Sequence, residues 1–412
     1  MKKYTIFLLL LCFVAPVWAQ FDEDEDYILE DTVALADSIP AHLPWPQNVQ
    51  ARLDSLLADP LLETTQLGLM VWDLTADSAL YCHHHRHSMR PASTMKLVTA
   101  ITALDHLPSD HVLTTSLHRK GEIAGATFTG DLYVVGGMDP LFDIGDLRDF
   151  VYELRHLGID TLKGRLVADV SMKDTLRWGE GWCWDDKNPT LSPLLVGKKA
   201  NFLERFAAEL RRSGMVTDSM TLDTGRRPGG AVMLTSCQHT IDQLLLPMMK
   251  ESDNLAAEAL FYQLAACYGN RPARAIHART LEKQLATHLG LDTRNFRFAD
   301  GCGLSLYNYV SPQLLVALLR HAWLKPHIYS HLLPSLPIAG IDGTLEKRMC
   351  RTAAQENVRA KTGTLTGIIS LAGYCTAAND HQLCFAIINQ GVLHAGSARA
   401  FQDRVCVALC QP

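Results

Sequence analysis

In Pro91-Ala92-Ser93-Thr94-Met95-Lys96-Leu97 a serine stands three residues ahead of a lysine. The apolar residues that follow, Val98, Ala100, Ile101 and Leu104, recur at helical spacing until Leu107-Pro108 ends the run. The pattern commits this stretch to a helix, and a separation of three puts Ser93 and Lys96 on one face of it. There the amine can reach the hydroxyl and draw off its proton, while the helix N-terminus favours developing negative charge. An isolated Ser-x-x-Lys is more often a cap followed by a surface lysine, so the tetrad has to be read with what lies elsewhere in the chain.

A length of 412 residues predicts two domains, or one domain carrying a large insertion. The first twenty residues stand apart: Lys2 and Lys3, an almost wholly apolar run from Ile6 to Val14, then Val17-Trp18-Ala19 with the small residues a signal peptidase needs. They read as a secretory signal over 1–19, cut before Gln20. No later run approaches the ~20 apolar residues of a spanning helix. Losing Lys2 and Lys3 takes the formal charge from -6 to -8, and the seven acids of 22–31 account for all but -1 of that. The acidity therefore belongs to a leader, 20–46, acidic and then Pro-rich, and the near-neutral body argues against nucleic-acid binding. Ten cysteines remain once Cys12 leaves, an even number compatible with disulfides in an oxidising compartment, with the pairing open. Cys82-His83-His84-His85 and His87 resemble a metal tract, but neighbours in an extended segment point to opposite sides, and a surface role is the better reading. No metal and no cofactor are expected.

Helical spacing over 49–57 precedes strand patterns at 66–75 and 80–82. From 112 to 235 the texture changes to short strands and turns, with helices at 147–157 and 201–213. Asp185-Asp186 lies in this region, in a tryptophan-rich turn where adjacent acids serve as backbone acceptors. Helices return with Ile241, Leu244, Leu245 and Met248, and Ser252-Asp253-Asn254 marks the junction with the next helix. Two more helices follow, at 273–289 and from Ser311-Pro312, whose residues suit cap and first-turn positions. The last hundred residues read as strands at 358–365, 368–375 and 382–388, the first carrying Lys361-Thr362-Gly363-Thr364, and then a helix over 395–409.

Each tripeptide is common alone. Ser93-x-x-Lys96 at a helix start, Ser252-Asp253-Asn254 between helices and Lys361-Thr362-Gly363 on a strand, in that order, form the set found in penicillin-binding proteins and class A β-lactamases. Further runs narrow the match: 130–140 (Gly-Asp-Leu-Tyr-Val-Val-Gly-Gly-Met-Asp-Pro), 181–186, Asp300-Gly301-Cys302-Gly303-Leu304-Ser305, Asp342-Gly343-Thr344-Leu345 and Ser370-Leu371-Ala372-Gly373-Tyr374. Over roughly 50–410 the chain resembles the D-alanyl-D-alanine carboxypeptidase/endopeptidase family of class C low-molecular-mass penicillin-binding proteins. It departs from that family's pattern at Cys302, where serine is usual, and at Cys183, where an acid is.

The resemblance implies an α+β, β-lactamase/transpeptidase-like fold: a five-stranded antiparallel sheet with a helical cluster, in two parts (47–111 and 236–412), with a mixed α/β domain (112–235) inserted after the nucleophile helix. It implies a serine-type peptidase acting on peptidoglycan stem peptides, with β-lactams as covalent inhibitors, in the periplasm or cell envelope. Ser93 would attack and Lys96, neutral, would accept its proton. Ser252 would relay the proton to the leaving nitrogen, and Asn254 would hold substrate backbone and the Lys96 amine. Lys361, Thr362, Gly363 and Thr364 would receive the terminal carboxylate, and the backbone N–H groups of Ser93 and Thr364 would form the oxyanion hole. Two other readings compete. A β-lactamase would add an acidic loop, and no Glu-x-x-Leu-Asn run supplies one; a noncatalytic wall-binding module would not need both Ser93 and Lys96.

Overall fold

The computed structural model of the chain describes residues 43–186 and 188–412. The signal at 1–19 and most of the acidic leader lie outside these residues.

The described chain opens with helix α1 (Gln47–Leu56) and the hairpin β1 (Gln66–Asp73) and β2 (Ser78–His83), then enters α2 (Met95–His106). Next come β3 (Val112–Ala124), β4 (Thr127–Val135), α3 (Ile144–His156), β5 (Thr161–Asp169), α4 (Phe202–Arg212), β6 (Met220–Thr224) and β7 (Val232–Thr240). Helices α5 (Ile241–Lys250), α6 (Asn254–Ala266), α7 (Ala275–His288), α8 (Pro312–Leu324) and α9 (Pro326–Ser335) follow. Strands β8 (Arg359–Leu365), β9 (Ile368–Thr376) and β10 (Gln382–Gln390) lead to the closing helix α10 (Ala395–Cys410).

The strands form two five-stranded sheets. One, ordered β2-β1-β10-β9-β8, is antiparallel throughout and takes strands from both ends of the chain. The other, β6-β5-β4-β3-β7, is mixed: β4, β5 and β6 run parallel, while β3 pairs antiparallel with β4 and β7. The chain thus has the α+β architecture anticipated, with a second α/β unit following α2.

Central strands β9 and β10 are buried on both faces, which is why they read as nearly continuous apolar runs. One face of the antiparallel sheet packs with α2, α6 and α8, and the other with α1 and α10, in two separate apolar clusters. A third cluster, built from β4, β5, α3 and α4, is the core of the mixed sheet. Helix α6 is buried on nearly every side, and α2 is buried from Met95 to Leu104. Such all-round burial fixes the direction of every side chain they carry.

Three features differ from the sequence reading. Strand β7 runs on to Thr240, which then caps α5 by accepting the N–H of Gln243, so strand and helix abut with no loop between. Helix α9 was not anticipated, because its ten residues begin and nearly end on proline. The even cysteine count is not matched by bridges: all ten cysteines of the described residues are free thiols, five of them buried. Among these residues no helix is long and apolar enough to cross a membrane.

Candidate active site

Ser93 lies in a single 3-10 turn, Ala92–Thr94, that runs directly into α2. The preceding Ala92 sits at φ 46, a left-handed conformation that turns the chain sharply ahead of the helix. A hydrogen bond from Ser370 Oγ on β9 to the carbonyl of Pro91 (2.6 Å) ties this turn to the sheet. Lys96, one turn on, is fully buried. Its Nζ donates to Ser93 Oγ (3.0 Å), to Asn254 Oδ1 (2.7 Å) and to the backbone carbonyl of Cys302 (2.8 Å).

Ser252 and Asn254 flank the start of α6. Asp253 caps that helix by accepting the N–H of Ala256, which leaves Asn254 as its first residue, aimed back at Lys96. Ser252 sits at φ 60, and its Oγ accepts from Lys361 Nζ at 2.9 Å. On β8, Lys361 is fully buried and also donates to the carbonyl of Thr362, while Thr362 Oγ1 donates to Thr344 Oγ1 (2.7 Å). Thr364 is exposed two residues along the same strand. Gly363 permits the close approach of strand to turn: a Cβ there would stand 2.9 Å from Ser93 N and from Pro91 O, and would collide with Ser370 Oγ.

The sequence elements thus converge into two hydrogen-bonded groups, Ser93–Lys96–Asn254 and Ser252–Lys361, which meet at the start of α6. In both lysines burial drives the pKa down. For Lys96 the negative field of Cys302, Asp300, Glu258 and Asp253 works against that shift without cancelling it. Lys361 goes well below the usual lysine range, with the Lys96 charge adding to the effect of burial. Every hydrogen-bond partner of the two amines is a neutral oxygen. A site built this way favours a neutral, basic amine and an incoming anion.

Several contributors were not read as site residues. The Cys302 carbonyl that holds Lys96 belongs to a loop organised by Asp300. That carboxylate accepts from Gly303 N, Ser305 N, Asn308 Nδ2 and Trp182 Nε1. Gly303, at φ 86, lets this loop pass beneath Ala92, whose carbonyl a Cβ would meet. Glu258, four residues after Asn254 on α6, accepts the N–H groups of Gly301 and Cys302 (2.8 and 2.9 Å), and burial raises its pKa to about 8. In the sequence Asp300-Gly301-Cys302-Gly303 carries the family resemblance but no assigned role, and the four-residue spacing of Glu258 from Asn254, one face of a helix, is the signal available for Glu258.

Two features stay outside the site. In the His83–His87 tract the His84 ring lies tilted against His83 at 4.2 Å and stacks on His87 at 4.5 Å. Asp186 accepts the N–H of Cys183, as expected of a turn acid.

The chain matches the D-Ala-D-Ala carboxypeptidase 3 (S13) family over residues 49–198 and 194–410. It is 28% identical over 490 residues to a D-alanyl-D-alanine carboxypeptidase from an Actinomadura species, covering 93% of this chain and 88% of that one. To D-alanyl-D-alanine carboxypeptidase DacB of Haemophilus influenzae it is 25% identical, covering 84% and 89%. The crystal structure of penicillin binding protein 4 (dacB) from Haemophilus influenzae superposes with a TM-score of 0.77 at 23% identity, over 87% of this chain and 98% of that one. That likeness establishes a shared fold.

Proposed function

The chain belongs to the D-Ala-D-Ala carboxypeptidase 3 (S13) family, and from that premise we propose that it hydrolyses the bond between two D-alanines of peptidoglycan stem peptides through an acyl-enzyme on Ser93. The observation that carries the assignment of residues is Lys96: fully buried, held among neutral oxygens and 3.0 Å from Ser93 Oγ. Burial lowers the Lys96 pKa and so raises the share of neutral amine, and in that form its lone pair takes the Ser93 proton as Oγ attacks the carbonyl carbon. The backbone N–H groups of Ser93 and Thr364 would meet the oxyanion, a role supported by the close approach of β8 to the turn before α2 at Gly363. On collapse of the tetrahedral intermediate the C–N bond breaks. The proton passes from Lys96 through Ser252 to the leaving nitrogen, and the amine departs, either as D-alanine or as the amine of the neighbouring stem peptide in a cross-link. Water, deprotonated by Lys96, then cleaves the ester and returns the proton to Ser93.

The substrate's terminal carboxylate is received by the hydroxyls of Thr362 and Thr364 beside the buried Lys361 amine, whose protonated form an incoming anion favours. A β-lactam presents an amide and carboxylate of similar layout, and a relative of known structure, penicillin binding protein 4 (dacB) from Haemophilus influenzae, has been solved with a β-lactam bound. The reading of 1–19 as a secretory signal supports a cell-envelope location for the enzyme.

The test is incubation of the purified protein with a fluorescent penicillin. Covalent label that disappears in Ser93→Ala is expected, and no label on the wild-type protein refutes the proposal. Release of D-alanine from a pentapeptide reads carboxypeptidase activity, and cleavage of cross-linked muropeptides reads endopeptidase activity. Rapid drug turnover would instead favour a β-lactamase.

A further inference from the structure

Outside this site, on the mixed sheet, three donors of different chemistry converge. Cys237 and His239 lie two residues apart on β7, hence on the same face of the strand. Asp139, buried at the end of the Gly136-Gly137-Met138-Asp139 turn after β4, points at them. Its Oδ2 lies 2.6 Å from His239 Nδ1, the imidazole Nδ1 lies 4.0 Å from Cys237 Sγ, and all three donor atoms fall within 4.8 Å of one another. Asp146, in the first turn of α3, and Asp149 also lie near the Cys237 thiol.

We propose that Asp139, Cys237 and His239 form a binding site for a borderline-soft divalent cation, zinc first, with Asp146 or water as the fourth ligand. The donor set is nitrogen, sulfur and oxygen, which suits zinc and disfavours magnesium or calcium. A tetrahedral zinc ion separates its ligand atoms by about 3.3–3.6 Å. The present spacings bracket that value, so side-chain rotation is enough to admit the ion and the backbone need not move.

Charge points the same way: Asp139, Asp146 and Asp149 all lie near the Cys237 thiol, a concentration of anionic oxygen that a divalent cation would satisfy. Binding breaks the Asp139–His239 hydrogen bond, leaving Nδ1 as a ligand with the proton on Nε2, and releases the Cys237 thiol proton to solvent. The bound ion would clip three elements together: the turn after β4, strand β7 and, through Asp146, helix α3. Because Thr240 caps α5 directly after β7, the clip also steadies the run that leads to Ser252.

The test uses the whole secreted chain, stripped with chelator and kept reduced with a phosphine. On titration with Co²⁺ a thiolate-to-cobalt charge-transfer band should appear, saturate at one equivalent and be displaced by Zn²⁺. The band should vanish in Cys237→Ser, persist in the double variant His84→Ala/His87→Ala, and in Asp139→Asn need cobalt raised beyond the roughly 10–100-fold typical of outer-shell changes. X-ray absorption of the zinc-loaded wild-type protein, which needs no variant, should report one sulfur ligand at about 2.3 Å. No charge-transfer band in the wild type, a band that survives in Cys237→Ser, or a zinc shell without sulfur would each overturn the proposal and leave Asp139 and His239 as a structural hydrogen-bonded pair.

Discussion

Replacing Gly363 with alanine probes the oxyanion hole without touching a reacting group. The new Cβ would collide with Ser370 Oγ and stand 2.9 Å from both Pro91 O and Ser93 N. Carbon prefers neighbours at about 3.5–4.0 Å, so β8 and the turn before α2 must part by at least about 0.5 Å. Rotating Ser370 relieves only the first contact, and at the loss of its 2.6 Å bond to Pro91 O, worth about 1 kcal/mol. Oxyanion donors act within 2.7–3.1 Å of the oxygen, so a separation of that size removes one of them, which slows acylation by about 10²–10³-fold, or about 2.7–4 kcal/mol. The fold itself should lose only the roughly 1–3 kcal/mol of an overpacked contact. The assay is the second-order rate of labelling by fluorescent penicillin, with thermal unfolding recorded in parallel. The double variant Gly363→Ala/Ser370→Ala keeps both backbone collisions and should stay slow. Labelling of Gly363→Ala within about threefold of wild type, a barrier change under about 1 kcal/mol, would refute the placement of the oxyanion hole between Ser93 and Thr364.

Acylation should rise with pH through an ionisation below the ordinary lysine range, because burial lowers the Lys96 pKa and the neutral amine is the active form. A profile that rises only near pH 10.5 would count against Lys96 as base. Lys96→Ala should lower the labelling rate by about 10²–10⁴-fold, checked with the same probe. Glu258 has its pKa raised from 4.5 to about 8, so the folded state holds a proton that the unfolded state releases across that interval. Its contribution therefore falls as pH rises from 4.5 to about 8, by up to about 1.4 kcal/mol per pH unit, and Glu258→Gln should flatten the stability curve over that window in denaturant titrations. Gly303→Ala, whose Cβ meets the Ala92 carbonyl at a φ of 86, should both slow labelling and lower the unfolding temperature.

What the sequence made legible were side chains whose chemistry depends on local spacing. Ser93 and Lys96 needed only a helix, and Lys361-Thr362-Gly363 only a strand. Asn254 needed a helix start, which Asp253 supplies as cap. The carbonyl of Cys302 could not be read, because a backbone acceptor leaves no mark on residue identity and its aim is set by Asp300 and Glu258 from distant elements. Cys302 itself was noticed as a departure at that position, yet it is the carbonyl and not the thiol that meets Lys96. Strand β3, thirteen residues long, was read as short strands because Gly121 and the polar residues around it interrupt the apolar alternation. The boundary at 235 fell inside β7 because the helical spacing of Ile241 and Leu244 starts so soon after its last residue.

The pairing of β1 with β10 has a consequence for how the molecule is made. Gln66 and Gln390 are register partners, although 324 residues separate them. The mixed sheet needs only contiguous chain from β3 to β7, so it can form while the remainder is still arriving. The antiparallel sheet cannot be completed until β10 slides between β1 and β9, and closing so long a loop carries an entropy penalty that grows only slowly with length. Since β8 and β9 hold Lys361 and the Ser370 tie against the turn that bears Ser93, that insertion also seats the nucleophile. Completion of the sheet and switching on of the serine are then a single late event, and a chain interrupted before β10 would carry every residue of the site with no surface to assemble them on.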